Sequence, residues 1–575
     1  MFIKSSIFRT IFSPKLLFHA TKNVSVFKKT IILFLIVIIV GSFIWWIISI
    51  YYFMTVANPA RGGQYTEAYV GQPRYINPLL SHSSSADRGL VKLIFSGLFD
   101  YNENGLLRED IAENFEVSDD VKEYTIFLRK DVKWHDGESL TVDDVMYTLD
   151  TAKDIAYGAA GVSNDMRLVW SDVKYEKIDD YTIKFILSEP NSDFLHNLTI
   201  GILPKHIWEN ISPEQFQLSE YNQKPIGSGP YTFVDLKIDE DKDIISSYTL
   251  RANKMYYKGK AFITKFVINF YSTRADAIAA YNDGVVSAVI VDKKKYVEAL
   301  NKVAQIKSIK LPHYFAVFFN QTKSVPLAFK EVREALVLAT DKNEIIEKVF
   351  ANNADVRRSP FADGVIGFNK DMQQASFNAD NAKDLLEKSG WKIKDDGIRM
   401  KNEDRLSFTL HINANHEELA QVAQILKEQW RKIGVELKIQ EHQKSDLEAN
   451  IIKPRDYDAL LYAHQMRFEP NLLPLWHGAE KDDPGVNYAL FDDKQMNDYL
   501  EALVAEKNDD TRKKLYKKQQ ERLKNEVPAV FLFAPNLSFM YNDNIKNIRV
   551  NRANISSDRY VDVHLWYIKE KRVKK

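Results

Sequence analysis

Cysteine is absent from all 575 residues. That absence excludes disulfides, cysteine-ligated zinc, thiol nucleophiles and a lipid-modified N-terminal cysteine. Net charge is lacking too: Lys+Arg and Asp+Glu each number 78, so the formal charge is zero and the pI is about 7.2. A nucleic-acid partner is not expected, because neutralising phosphates needs a basic excess. The chain has no GxSxG, no HExxH and no Walker lysine, and Gly227-Ser228-Gly229 lacks the continuation of a phosphate loop. Asp143-Asp144 and Asp482-Asp483 have no further ligand at calcium-loop spacing and read as a helix start and a solvated loop. Neither catalysis nor a cofactor is expected.

What is present is apolar and aromatic. Apolar residues make up 45% of a chain too long for one core, which points to several domains. The nine Trp and the 12% aromatic content read mostly as core. Ile31 to Met54 carries no charge, and 24 helical residues reach about 36 Å, enough to cross a bilayer. Before it come Lys4, Arg9, Lys15, Lys22, Lys28 and Lys29 with no acid, so the positive-inside rule keeps this end in the cytoplasm and exports the rest. A cleaved signal peptide ending at Thr55-Val56-Ala57 is the competing reading, but its apolar run exceeds the usual 7–15 residue core. The leader reads equally as an amphipathic helix on the inner leaflet or as a disordered basic tail.

Beyond Asn58 to Gly63, a breaker-rich linker, strands and helices alternate without repeats. Strand-like runs include Tyr65 to Val70, Tyr124 to Leu128, Tyr181 to Leu187, Phe262 to Tyr271 and Leu406 to Ile412. Helix-like runs include Arg274 to Asn282, Lys330 to Ala339, Asn381 to Lys388, Glu417 to Ile433 and Asp510 to Asn525. Glu417 to Ile433 buries Leu419, Val422, Ala423, Leu426 and Trp430, stops at Gly434 and leads into an alternating strand from Val435, the unit of an open α/β lobe. Leu128 to Leu149 joins a strand end, the Asp136-Gly137 turn and a helix whose Thr141 and Asp144 outline a capping box. His135-Asp136 reads as a solvated turn pair rather than a catalytic dyad. Pro225 to Pro230 and Leu311-Pro312 are candidate domain crossings.

Taken in order, the pieces form a family pattern: Arg74 to Leu80, Ile94 to Phe99, Ile111 to Phe115, then WHDGESLTVDDV, Leu203 to Trp208 and PIGSGPY. Val332 to Leu336 with Ala339-Thr340-Asp341, Ala382 to Glu387 with Gly390-Trp391, and Gln429 to Val435 complete it. The chain resembles the extracellular solute-binding proteins, family 5, of oligopeptide, dipeptide and nickel ABC transporters. The resemblance implies an α/β fold, a two-lobed periplasmic-binding-protein-like clamshell of class II, preceded here by one N-terminal transmembrane helix. It implies lobe I over 64–94, 226–310 and 536–575, an extra subdomain over 95–225, and lobe II over 311–535. These follow a leader at 1–30, the helix at 31–54 and a linker at 55–63. Ligand would bind between the lobes and bias a hinge.

In peptide-binding members of that family the second lobe carries a tryptophan and, three residues on, an aspartate that pairs with the peptide's ammonium. Those positions fall on His464 and Arg467, with Gln465 and Met466 between and Glu469-Pro470 after. A cation there would repel an ammonium and could fork onto a carboxylate or phosphate. Glu469 could instead supply the anion, or Arg467 could face solvent or pair with Glu469. His464, Gln465, Met466, Arg467 and Glu469 are the candidate substrate-binding residues. The expected role is a monomeric, membrane-tethered extracytoplasmic protein that delivers a peptide or similar polar solute to ABC permease subunits. A ligand-sensing or adaptor ectodomain and a membrane-anchored hydrolase are the alternatives.

Overall fold

The computed structural model describes residues 25–241, 243–291, 296, 298–300 and 305–575. The two expectations for the basic leader lie outside these residues up to position 24. The chain forms two compact units, one made of the N-terminal helix and its following strand with Lys569–Lys575, the other of Gly62–Ile568.

In the first unit a helix runs Val26–Met54, and its stretch Thr30–Met54 is apolar on every side with none of it buried in protein. A helix that is apolar all round and uncovered suits lipid rather than a core. Thr55–Ala60, within the stretch read as a linker, is a strand paired antiparallel with Lys569–Lys574. Pro59 is tolerated because a two-stranded ribbon is all edge.

Three larger sheets frame the second unit, beside a three-stranded and a two-stranded one. The seven-stranded sheet runs, edge to edge, Gln305–Ile309, Leu537–Tyr541, Ala288–Val291, Gln64–Val70, Lys265–Tyr271, Ile244–Ala252 and Tyr231–Asp239. Its central strand, Gln64–Val70, is parallel to both neighbours and buried along Tyr65 to Tyr69, as a strand covered on both faces must be. The six-stranded sheet contains Ala354–Val356, Ala529–Pro535, Tyr314–Phe319, Ala459–His464, Ser407–Asn413 and Glu436–His442 in that order. Ser407–Asn413, helix Glu417–Arg431 and Glu436–His442 form the βαβ unit that the apolar spacing implies, and Gly434, at φ 88°, makes the turn between the last two. Period-two alternation divides the strand Tyr314–Phe319: Tyr314, Ala316 and Phe318 enter one core, Val317 and Phe319 another. The chain passes between the two sheets near Leu311-Pro312 and again at Asn536.

A four-stranded antiparallel sheet, Ala112–Val117, Glu123–Leu128, Thr182–Ile186 and Lys174–Asp179, carries helix Val142–Lys153. The Asp144 carboxylate accepts from the Thr141 amide at 2.9 Å, the reciprocal arm of the capping box. It also accepts from the Lys205 amide at 2.9 Å, so this residue ties the helix to the next segment as well as starting it.

His135 corrects its reading as half of a solvated pair. Its Nδ1 accepts from the Gly227 amide at 3.2 Å and its Nε2 lies 3.1 Å from the Gly229 carbonyl. Asp136 points elsewhere, to His206 at 2.8 Å. Adjacent side chains in a turn diverge, and one of them found a buried loop to hold. That loop has no room for a side chain at its glycines: a Cβ on Gly227 would stand 2.0 Å from the Ile94 carbonyl oxygen. Seven of the nine Trp are fully buried, the other two being Trp45 and Trp46 on the apolar helix.

Candidate functional site

A cavity of about 660 Å³ opens between the parts of the second unit that carry the two large sheets, within the usual size of a small-molecule site. One wall is a single face of helix Ser85–Ile94 and the residue after it, since Arg88, Val91, Lys92 and Phe95 recur at helical spacing. Ser84 caps this helix by accepting from the Asp87 amide at 3.2 Å. Segments 96–101, 199–201 and 554–564 continue that wall, and Gln465, Met466, Arg467, Leu475 and His313 face it from the other side.

The cavity's carboxylates are already spoken for. Asp100 contacts Lys92 and lies 3.3 Å from Arg108, which reaches Asp562 at 2.9 Å. Although burial opposes it, Lys92 and Arg108 hold the Asp100 carboxyl down to about 2. Lys258 contacts Asp110, whose other donor is the Tyr257 hydroxyl. Asp558 accepts from the Asn554 and Ile555 amides at 3.1 and 3.0 Å and stands 3.8 Å from Lys92. Arg88 differs from the other lining cations. Its guanidinium donates to the His82 carbonyl and makes no ion pair among the described residues.

The predicted residues separate into three groups. Gln465, Met466 and Arg467 line the cavity. His464 is 2% exposed and does not: its Nδ1 meets the Tyr314 hydroxyl at 2.9 Å, its Nε2 the Val486 carbonyl at 3.1 Å, and Phe318, Trp476 and Tyr488 surround it. Glu469 accepts from the Leu107 amide at 3.0 Å and stands 3.6 Å from His196, beyond the cavity rim. Burial pushes its carboxyl up.

Arg467 pairs with Asp193 rather than with Glu469. This ion pair belongs to a seam joining the segment that carries the four-stranded sheet to the far wall. The Phe468 amide donates to Asn554 Oδ1 at 3.0 Å, Asn554 Nδ2 to the Gly105 carbonyl at 3.0 Å, and Arg512 to Ser192 Oγ at 2.8 Å. Gly105 sits at φ 74° against the Phe468 ring, where a Cβ would come within 2.5 Å of Cδ2. Asp193 and Asn554 carried no motif that sequence reasoning could use. Both matter because distant segments meet at the seam.

Burial drives His464 down to about 3, against an ordinary value near 6.5. Between those values the unfolded chain binds a proton that the fold refuses. The stability His464 confers is therefore complete above about pH 6.5 and is lost as pH falls towards 3. A His464→Gln variant is expected to lose less: denaturant titrations from pH 6.5 to 4 should give wild type a slope steeper by about 1.4 kcal/mol per pH unit. Equal slopes would mean that His464 is protonated in the fold.

Two large sheets, an open-mouthed cavity between them and a polar seam beside it define a two-lobed ligand-binding protein. The model for bacterial extracellular solute-binding proteins, family 5 (middle region), matches residues 107–495. The chain belongs to that family. It is 26% identical over 509 residues to the oligopeptide-binding protein AppA of Bacillus subtilis, covering 86% of this chain and 90% of that one. Among solved structures it is similar to Campylobacter jejuni NikZ in complex with Ni(L-His), at 27% identity and TM-score 0.68 over 88% of this chain and 99% of that one. The Listeria monocytogenes substrate-binding protein CtaP shares the fold, with TM-score 0.74 at 24% identity over 88% and 100% of the two chains. AppA and CtaP are both binding proteins by name, and NikZ holds Ni(L-His).

Proposed function

We propose that this chain is a membrane-tethered, extracytoplasmic solute-binding protein that captures a peptide or similar polar solute and hands it to an ABC importer. The cavity carries the reading: it lies between two lobes, its acids are neutralised in place, and Arg88 is left for a ligand carboxylate. Gln465, Met466 and Arg467 would contact or enclose the ligand, with Arg467 and Glu469 acting through the seam. Lobe I would comprise 64–94, 226–310 and 536–575, the extra subdomain 95–225 and lobe II 311–535. Retention of the helix is favoured because cleavage after Ala57 would cut inside a strand whose register with Lys569–Lys574 begins at Thr55.

The test is thermal unfolding with peptide pools whose C-termini are free or amidated. A cognate ligand at about 100 times Kd adds about 2.7 kcal/mol of stability. Stabilisation is expected from free carboxylates and is expected to shrink in Arg88→Gln. No shift with peptide or broader metabolite pools would sink the binding role. Equal shifts with amidated peptides would remove Arg88 from it.

A further inference from the structure

Cations gather where the apolar helix ends. The strand Lys569–Lys574 reads KEKRVK and is followed by Lys575. Its register sets Lys574 opposite Thr55, the first residue past the helix, Arg572 opposite Ala57 and Lys569 opposite Ala60. Counted from Thr55 at ~3.4 Å per strand residue, Lys574 stands at the start of the ribbon, Arg572 about 7 Å along it with its side chain turned back to Thr55 and Tyr52, and Lys569 about 17 Å along it. The Lys575 amide donates to the Met54 carbonyl at 3.0 Å, which brings the last residue to the same level.

Arg572 is fixed there by more than charge. Its Nε donates to Thr55 Oγ1 at 2.8 Å, and its Nη2 to the carbonyls of Thr55 at 2.8 Å and Tyr52 at 3.3 Å. The guanidinium lies 4.1 Å over the Tyr52 ring, and Lys575 Nζ lies 5.1 Å over that of Phe53. A cation at the C-terminal end of a helix meets the negative pole of its dipole and satisfies carbonyls that the helix leaves open. That accounts for Nη2 of Arg572, while its Nε is taken by the Thr55 hydroxyl. Its Nη1 and the ammonium groups of Lys574 and Lys575 make no ion pair among the described residues.

A bilayer's polar layer is about 5–8 Å deep on each side of the hydrocarbon. With the apolar stretch across that hydrocarbon, Met54 marks its outer edge, and the three cations fall among phosphates while Lys569 stands above them. The one acid of the strand, Glu570, lies opposite Pro59, further from the helix than Arg572. We propose that Arg572, Lys574 and Lys575 form a collar that binds anionic phospholipid headgroups where the helix leaves the membrane. The inference rests on the reading of the helix as a retained span.

The experiment uses full-length protein. Alkaline carbonate extraction of membranes comes first: release of the chain would overturn the retained span and the collar with it. The extraction-resistant protein is then offered mixed phosphatidylglycerol and phosphatidylcholine vesicles, and the lipid that stays bound after detergent exchange is counted by native mass spectrometry. Wild type should retain phosphatidylglycerol preferentially, with a roughly fivefold loss per cation removed in Arg572→Gln, Lys574→Gln and Lys575→Gln. Arg572→Lys, which loses the fork to Thr55 but keeps the charge, should retain the preference, and Lys569→Gln with Lys571→Gln should leave it intact. Membrane-retained protein that holds both lipids equally, or a triple glutamine variant with undiminished preference, would overturn the collar alone.

Discussion

Replacing Arg559 by leucine is expected to cost about 3–5 kcal/mol of folding stability. Arg559 and Glu67 are both fully buried, and the guanidinium meets Glu67 Oε1 through Nη2 at 2.7 Å and Nε at 3.1 Å. The carboxylate's other oxygen accepts from the hydroxyls of Tyr65 and Tyr560, each at 2.7 Å, and Arg559 Nη1 donates to the Ser556 carbonyl at 2.7 Å. Every strong group in the cluster has a partner. Loss of the cation alone strands a carboxylate in a dry core, which is why the expected cost far exceeds that of a surface pair. Replacing both members, Glu67→Leu with Arg559→Leu, should recover most of the loss, since apolar packing commonly matches a buried pair. Denaturant midpoints of the two variants make the comparison. A single variant within 1 kcal/mol of wild type would mean that water reaches Glu67. The cluster also bears on binding, because it fixes the turn Ser556–Tyr560 on strand Gln64–Val70 and thereby sets Asp558 and Asp562 into the cavity wall.

The second large effect is expected at the seam. In Arg467→Asp the new carboxylate would face Asp193 with Glu469 nearby, replacing an attraction by a repulsion in a partly buried place. A destabilisation of the closed form by ~2–3 kcal/mol would lower ligand affinity about 30- to 150-fold, because affinity falls with the closed fraction. The double reversal Asp193→Arg with Arg467→Asp should restore most of it. Lys507→Gln, which breaks the pair of Lys507 with the fully exposed Asp119, should do little. Calorimetric affinities for a peptide from the pool that stabilises wild type, with small-angle scattering to report closure, separate the outcomes. Unchanged affinity in Arg467→Asp would make the ion pair incidental to closure.

The secondary structure was legible in several elements with one buried face. Helix Arg274–Asn282 has the bounds its periodicity predicts, and Glu417–Arg431 ends two residues early because Lys432 and Ile433 belong to the turn at Gly434. The strand Thr55–Ala60 was not legible, since its partner lies more than 500 residues away and its Asn and Pro argue for a loop. The site divides the same way. A motif led to Gln465, Met466 and Arg467, which do line the cavity, but spacing could not reveal that Arg467 meets Asp193. His464 was a candidate because it falls on the family's tryptophan position, and the structure sets it among four aromatic neighbours, as part of a core. Polar residues that act through tertiary partners leave no periodic trace, whereas apolar faces do.

The internal pairing of the cavity's acids also governs how fast a solute is caught. Opposed charges a few ångströms apart cancel beyond a Debye length of about 8 Å, so apart from the single charge of Arg88 such a cleft projects little field into the surrounding solution. Capture should then proceed near the unsteered rate of about 10⁵–10⁶ M⁻¹s⁻¹ and change little with ionic strength. Selectivity would be exercised after encounter, in how long each solute stays.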